Sequence, residues 1–372
     1  MMAFPEFGSI DSRQAPFLDG RIHEKLSLPD RRAKFKEKRQ AAGSAPADFR
    51  RGESPNHSMR LTALLWILAL LFGRGSSVAA GSDDVERRKI IPYAGPLIDA
   101  VVQWPDTIGD LGEIVRHLRK AGVDRAGMCN GIHIARRTRE IESRRPLFFL
   151  GTPKSRGEDL ASSKNDGLIR MIKSRDYSFV GELMYRHAKK KERVHSEGEI
   201  FNDPLSDDSL HFVGQIDRLE KKMPIFVHWE FYRWKEDYPR FSALFERFPH
   251  QTFIINHLGF GDPDQVRTIL DAHPNVFFTI SKKLTPFEYF SDPGTEQGPP
   301  LLDQDQKLMP GWKALFLAYP TRFLFATDAH KDYMWNHYET IVDGYRLLLA
   351  QLPEDAARKI ASQNAVDVFR LK

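Results

Sequence analysis

The stretch Pro224-Ile225-Phe226-Val227-His228-Trp229-Glu230 is an apolar run that turns polar at its end, and Thr252-Phe253-Ile254-Ile255-Asn256-His257 repeats the pattern. Short runs rich in Ile, Val and Phe read as buried strands. Working outward, runs of the same kind recur near residues 96–102, 125–129, 147–151, 179–183, 276–280 and 323–327, which makes eight. Between them the apolar period changes to 3.6: Ile108, Leu111, Val115 and Leu118 predict one helix face, and Phe212, Ile216, Leu219 and Met223 another. Asp262-Pro263 predicts a helix start, with Asp as N-cap and Pro at the first helical position. A last helix is expected over about 338–351. Such alternation implies repeated βα units on a parallel sheet. Eight units in the residues after Ala80 fit a (β/α)8 TIM barrel, typically about 250 residues long. A doubly wound open sheet is the alternative, although no Gly-rich dinucleotide turn or P-loop follows any of the runs.

With 41% apolar and 28% charged residues in 372, the composition is globular and excludes collagen-like or wholly disordered classes. The net charge of +5 is unevenly placed. Residues 1–80 hold 13 Lys/Arg against 8 Asp/Glu, so the remaining chain carries 42 of each and has no basic excess for nucleic acid. Residues 1–58 are polar and basic, without apolar periodicity, and are expected to be disordered. Met59-Arg60, the apolar block Leu61–Phe72 and Val78-Ala79-Ala80 then form a charged, apolar and small-residue series. That series predicts a signal peptide over 59–80, translation from Met59 and an exported barrel over 81–372, in the periplasm or secreted. An uncleaved signal anchor is the alternative. The block is short for a membrane span, which needs about 20 residues. The single cysteine, Cys129, allows no intrachain disulfide, so stability must come from packing.

In a barrel the C-terminal tips of the strands converge on one mouth. Four polar tips stand out: Glu182 on the fourth strand, His228 on the fifth, His257 on the sixth and Asp328 on the eighth. Two imidazoles and a carboxylate suffice to hold a catalytic zinc while leaving a position for water. The connections from Met184 to about Asp208 and from Ser281 to about Gln306 are the longest, and the second, with Phe287, Tyr289 and Phe290, is expected to cover the mouth. Cys129 reads as a buried, inert thiol. His330 is either a substrate contact or a loop residue, and Trp104, Trp229 and Trp234 either wall a pocket or pack between barrel and helices.

These strand ends, together with the closing Ile360-Ala361-Ser362-Gln363-Asn364-Ala365-Val366-Asp367-Val368-Phe369-Arg370-Leu371, resemble the amidohydrolase-related family of metal-dependent hydrolases. The resemblance implies a (β/α)8 barrel that acts on small amides, esters or lactones with one or two divalent metals, usually zinc. Some relatives decarboxylate. It also implies that His228, His257 and Asp328 bind metal, with Asp328 as proton acceptor and Glu182 completing or bridging the site. The family's first strand ends in Asp-Ala-His-x-His, whereas this chain reads Asp99-Ala100-Val101-Val102-Gln103. Both strand-1 histidines are absent. A weaker metal site, metal-free acid–base chemistry and a barrel that only binds ligand follow as the alternatives. A small-molecule substrate is expected, and a homodimer is the default oligomer.

Overall fold

The computed structural model describes residues 90–105, 107–129, 134–153, 162–188, 198–282, 284 and 298–372. The basic extension, the signal-like segment and most of the expected covering loop lie outside these residues. Within them the chain alternates strand and helix: β1 (Ile98–Val102), α1 (Leu111–Lys120), β2 (Arg125–Cys129), α2 (Ile134–Glu142), β3 (Phe148–Gly151), α3 (Ser162–Ser174) and β4 (Val180–His187). A two-residue strand β5 (Ile200–Phe201) and α4 (Asp207–Asp217) precede β6 (Ile225–Trp229), α5 (Trp234–Arg247), β7 (Phe253–Ile255) and α6 (Pro263–Ala272). After β8 (Val276–Thr279) come α7 (Pro310–Ala318), β9 (Phe323–Leu324), α8 (Asp332–Asn336), α9 (Tyr338–Leu349), α10 (Glu354–Arg358) and α11 (Asn364–Phe369).

All strand pairs are parallel except β4 with β5, which is an appended antiparallel edge. The order is β1-β2-β3 and then β5-β4-β6-β7-β8-β9. A parallel bridge between Gly151 and Phe179 joins the two sets. At the other seam Ala100 N–H donates to Phe325 O at 2.9 Å, Asp328 N–H to Val101 O at 3.0 Å and Gln103 N–H to Ala329 O at 2.8 Å. These bonds close the eight parallel strands into a (β/α)8 barrel.

Side chains alternate across the wall, as a period of two requires. Phe253 and Ile255, like Ile225, Val227 and Trp229, face the helices, while Ile254 and Phe226 join Ile98, Ala100, Cys129, Phe149, Phe179 and Leu324 inside. The interior is thus a packed core and not a pore. Gly181 has no room for a side chain, since a Cβ would stand 2.1 Å from Thr152 O. Phe369 of α11 plugs the floor, with its ring centroid 4.9 Å from Phe149, 5.5 Å from Phe179 and 6.0 Å from Phe226. Cys129 is buried in this interior and its Sγ–H donates to Thr152 O at 3.1 Å.

Two helix readings need correction. Helix α1 begins at Leu111 because the Asp110 side chain accepts the Gly112 N–H as N-cap; Ile108 lies before it and its carbonyl accepts the Trp104 indole N–H. Helix α4 ends at Asp217, so Leu219 and Met223 extend its apolar face from the following turn. The start at Asp262 is a full capping box with Gln265.

The seam between first and last strands is fixed by one buried carboxylate. Asp99 Oδ1 accepts the Thr327 N–H at 3.0 Å, and Oδ2 accepts the Thr327 hydroxyl at 2.7 Å and the Tyr338 hydroxyl at 2.8 Å. Burial raises the Asp99 carboxyl from 3.8 to about 7 despite these donors. A raised carboxyl is protonated in the folded chain while already ionised in the unfolded one. Its stabilising contribution is therefore complete below pH 4 and lost as pH rises towards 7. Asp99→Ala strands three donors and should destabilise the protein by about 1–3 kcal/mol. Urea unfolding across pH 4–8 should show the gap to wild type widest at the acid end; a gap constant with pH would contradict the assignment.

Candidate metal centre

The four polar strand ends meet at the C-terminal mouth. Glu182 in β4 and His228 in β6 share a parallel register, and Glu182 Oε1 lies 2.8 Å from His228 Nδ1. Asn256 Nδ2 donates to the same carboxylate oxygen at 2.7 Å. His257 Nε2 stands 3.9 Å from Glu182 Oε1 and 3.5 Å from Asp328 Oδ2. One ligand atom each from Glu182, His228 and His257 lies within 4.8 Å of the others, and all three residues are buried.

The backbone bends to make this possible. After β7 the chain turns left-handed: φ is 58° at His257, 51° at Leu258, 61° at Gly259 and 50° at Phe260. Only Gly takes this conformation freely, and each of the other residues costs about 1–2 kcal/mol. The turn swings the His257 ring over the mouth, stacked on Phe260 at 4.7 Å. Lys282, buried just after β8, braces it by donating to Gly261 O, and burial lowers this ammonium from 10.5 to about 7. Asp328 also has positive φ, 48°. Strained backbone of this kind persists only where the surroundings over-determine it.

Hydrogen bonds fix which atoms face inward. His257 Nδ1 lies 2.7 Å from the Ser281 carbonyl, which can only accept, so Nδ1 carries the proton and Nε2 presents a lone pair. Burial pulls this imidazole below its ordinary 6.5, which keeps it neutral. Its lone pair therefore looks at the carboxylate oxygens of Asp328 and Glu182. The His257 N–H donates to Thr279 Oγ1, which donates to Asn256 Oδ1, tying the turn to β8. Three electron-rich atoms facing one another in a buried site form a donor set that a divalent cation could occupy.

Strand 1 contributes differently from the family pattern. Val101 packs in the apolar interior, and Gln103 Nε2 donates to Asp328 Oδ1 at 2.8 Å. An amide thus grips the carboxylate that faces His257.

Sequence reasoning missed Glu230 and His187. His228 is held on both sides, because Nε2 lies 3.1 Å from Glu230 Oε1. Burial would lower the His228 imidazole, but Glu182 and Glu230 outweigh it and raise the group to about 9. His228, through its bond and charge, holds the Glu230 carboxyl below 4.5 although burial alone would raise it. The signal for Glu230 was its position two residues beyond His228, on the same side of the chain. His187, at the end of β4, stacks on His228 with centroids 5.1 Å apart and planes at 11°. His187, His228 and Glu230 are also close enough to be considered for a metal. Imidazole lone pairs lie in the ring plane, so two stacked rings cannot aim at one ion without turning.

The remaining candidates divide. His330 belongs to the site's edge: its Nδ1 donates to Asp328 O at 2.7 Å, and it lies 3.6 Å from Asp328 Oδ2. The tryptophans pack. Trp229 is sandwiched between Phe241 at 3.9 Å and Trp234 at 5.7 Å on the helix side of β6, and Trp104 lies buried beneath Arg137. A groove of about 750 Å³ runs beside the mouth past Tyr232, Trp234, Phe260 and Pro299.

Known proteins resemble the chain over part of its length. No curated protein matches the chain. Among solved structures the chain is similar to an uncharacterised TIM-barrel protein from Bordetella bronchiseptica, with 13% identity, 74% of this chain and 99% of that one covered, and a TM-score of 0.49. It is also similar to a probable 2-pyrone-4,6-dicarboxylic acid hydrolase from Acinetobacter baumannii solved with citric acid bound (11% identity, 74% and 99% coverage, TM-score 0.48). A phosphotriesterase homology protein from Escherichia coli, complexed with phosphate in its active site, is similar at 10% identity, with 76% and 99% coverage and a TM-score of 0.48. The family model that matches is described as Amidohydrolase and spans residues 220–371, which include His228, His257 and Asp328. Over that span, from β6 to the plug helix α11, the chain is similar to the family described as Amidohydrolase.

Proposed function

We propose that the barrel is a hydrolase that uses one divalent metal, zinc by preference, to bring water onto the carbonyl carbon of a small amide, ester or lactone. The observation that carries this is the facing of the His257 Nε2 lone pair and the Asp328 and Glu182 carboxylates across a few ångströms of buried space. Glu182, His228, His257 and Asp328 would hold the ion. A divalent cation supplies charge that polarises a carbonyl oxygen and brings the pKa of water towards about 7.

The protein's own groups do the rest. Asp328 takes the water proton and returns it to the leaving nitrogen or oxygen as the bond from the carbonyl carbon to that atom breaks, while Gln103 holds Oδ1 and so fixes the plane of the carboxylate. Asn256 and His228 keep Glu182 from swinging, and the Ser281 carbonyl keeps His257 in the tautomer with Nε2 bare. In its proposed role the site takes a small molecule. Export, with cleavage near Ala80, completes the proposal. Among the described residues no helix is long and apolar enough to cross a membrane.

Protein purified under mild conditions should contain close to one equivalent of zinc, manganese or iron and hydrolyse some members of a panel of simple lactones, esters and amides. His257→Ala should lose the metal, and Asp328→Asn should lower kcat by about 10²–10⁴-fold. A metal-free wild type that refuses added zinc would overturn the proposal. Because strand 1 runs beside Asp328, Val101→His combined with Gln103→His should tighten zinc binding by about tenfold or more, worth about 1.4 kcal/mol. Unchanged affinity would mean that these two positions do not face the ion. N-terminal sequencing of the exported protein should start near Gly81, and recovery of residues 10–50 would refute the leader.

A further inference from the structure

We propose that Glu230 is a positioning residue that holds the proton of His228 on Nε2, leaving Nδ1 to offer its lone pair to a metal beside Glu182 and His257. The inference rests on the metal-site reading above and assigns a role to a residue outside its ligand set.

The two ring nitrogens of His228 face different partners. Nδ1 is the one turned to Glu182, at 2.8 Å, and hence to the space shared with His257. Nε2 is turned away from that space, to Glu230 Oε1 at 3.1 Å. A metal displaces one ring proton of His228, and which nitrogen then binds it is set by the hydrogen bond that the other keeps. Glu230 is itself fixed, because its Oε2 accepts the Ala188 N–H at 2.8 Å and the side chain is buried. One carboxylate oxygen is thereby committed to the backbone and the other to His228.

This arrangement makes Glu230→Gln an informative replacement. With its carbonyl oxygen on the Ala188 N–H, the new amide must point its NH2 at His228 Nε2, which can then only accept. The ring proton moves to Nδ1, where it blocks the metal. Turning the amide over instead sets NH2 against the Ala188 N–H. Glu230→Ala imposes neither conflict and leaves the ring free to choose its tautomer.

Zinc affinity measured by competition with a chromogenic chelator therefore separates this role from simple packing. Glu230→Gln should weaken zinc by about 10–100-fold, and Glu230→Ala by less. In the wild-type zinc form, imidazole ¹⁵N NMR should show His228 protonated at Nε2 and metal-bound at Nδ1, a reading that needs no variant to fold. Glu230→Gln binding zinc as wild type does, Glu230→Ala weaker than Glu230→Gln, or a metal-bound Nε2 would each overturn the role of Glu230 alone. Wild-type protein that binds no zinc would overturn the metal reading, and this role with it.

Discussion

A single buried carboxylate, Asp99, reinforces the backbone bonds that close the barrel, and the site depends on that closure. Its three donors come from Thr327 and Tyr338, so strand β1 is locked to the segment that carries Asp328. A parallel strand pair has no turn to set its register, and the first and last strands are separated by almost the whole fold. Side-chain hydrogen bonds replace the missing turn. The lock gives Asp99 a structural duty of its own. That duty does not depend on the residues that stand at Val101 and Gln103.

Charge in the mouth is arranged as alternation. Carboxylates of Glu182, Glu230 and Asp328 interleave with the imidazoles of His228 and His257, and nearly every oxygen or nitrogen is spoken for by a named donor or acceptor. His257 Nε2 and Asp328 Oδ2 instead face each other at 3.5 Å. Buried acceptors that face one another repel unless a cation or proton lies between them. Backbone strain at His257 and Asp328 holds the two groups in this opposition, which relaxed strand ends would let drift apart. Gln103 grips one oxygen of Asp328 and leaves the other facing His257, so the altered first strand still shapes the site.

Much of the fold was legible because the physics that specifies strands is local. Continuous apolar runs such as 125–129 mark buried strands whatever their partners, and Asp262-Pro263 marks a helix start within four residues. The gathering of Glu182, His228, His257 and Asp328 was legible by one added rule, that barrel strand ends share a mouth. Glu230 was not, because its importance depends on which ring nitrogen it meets, and periodicity carries no ring orientation. The left-handed turn at 257–260 was equally hidden: His-Leu-Gly-Phe holds only one residue that favours positive φ. The packing of Trp229 against α5 follows from strand parity once His228 is placed inward. Its aromatic character alone suggested a wall instead.

The plug made by Phe369 has a consequence for how the chain acquires its core. The interior floor is supplied by α11, which follows every barrel strand in chain order. The aromatic layer of Phe149, Phe179 and Phe226 therefore stays open below until α11 has been made and docks. Earlier fragments can form βα units but not a sealed interior. Removing α11 would act on the earliest strands of the wall, far away in sequence.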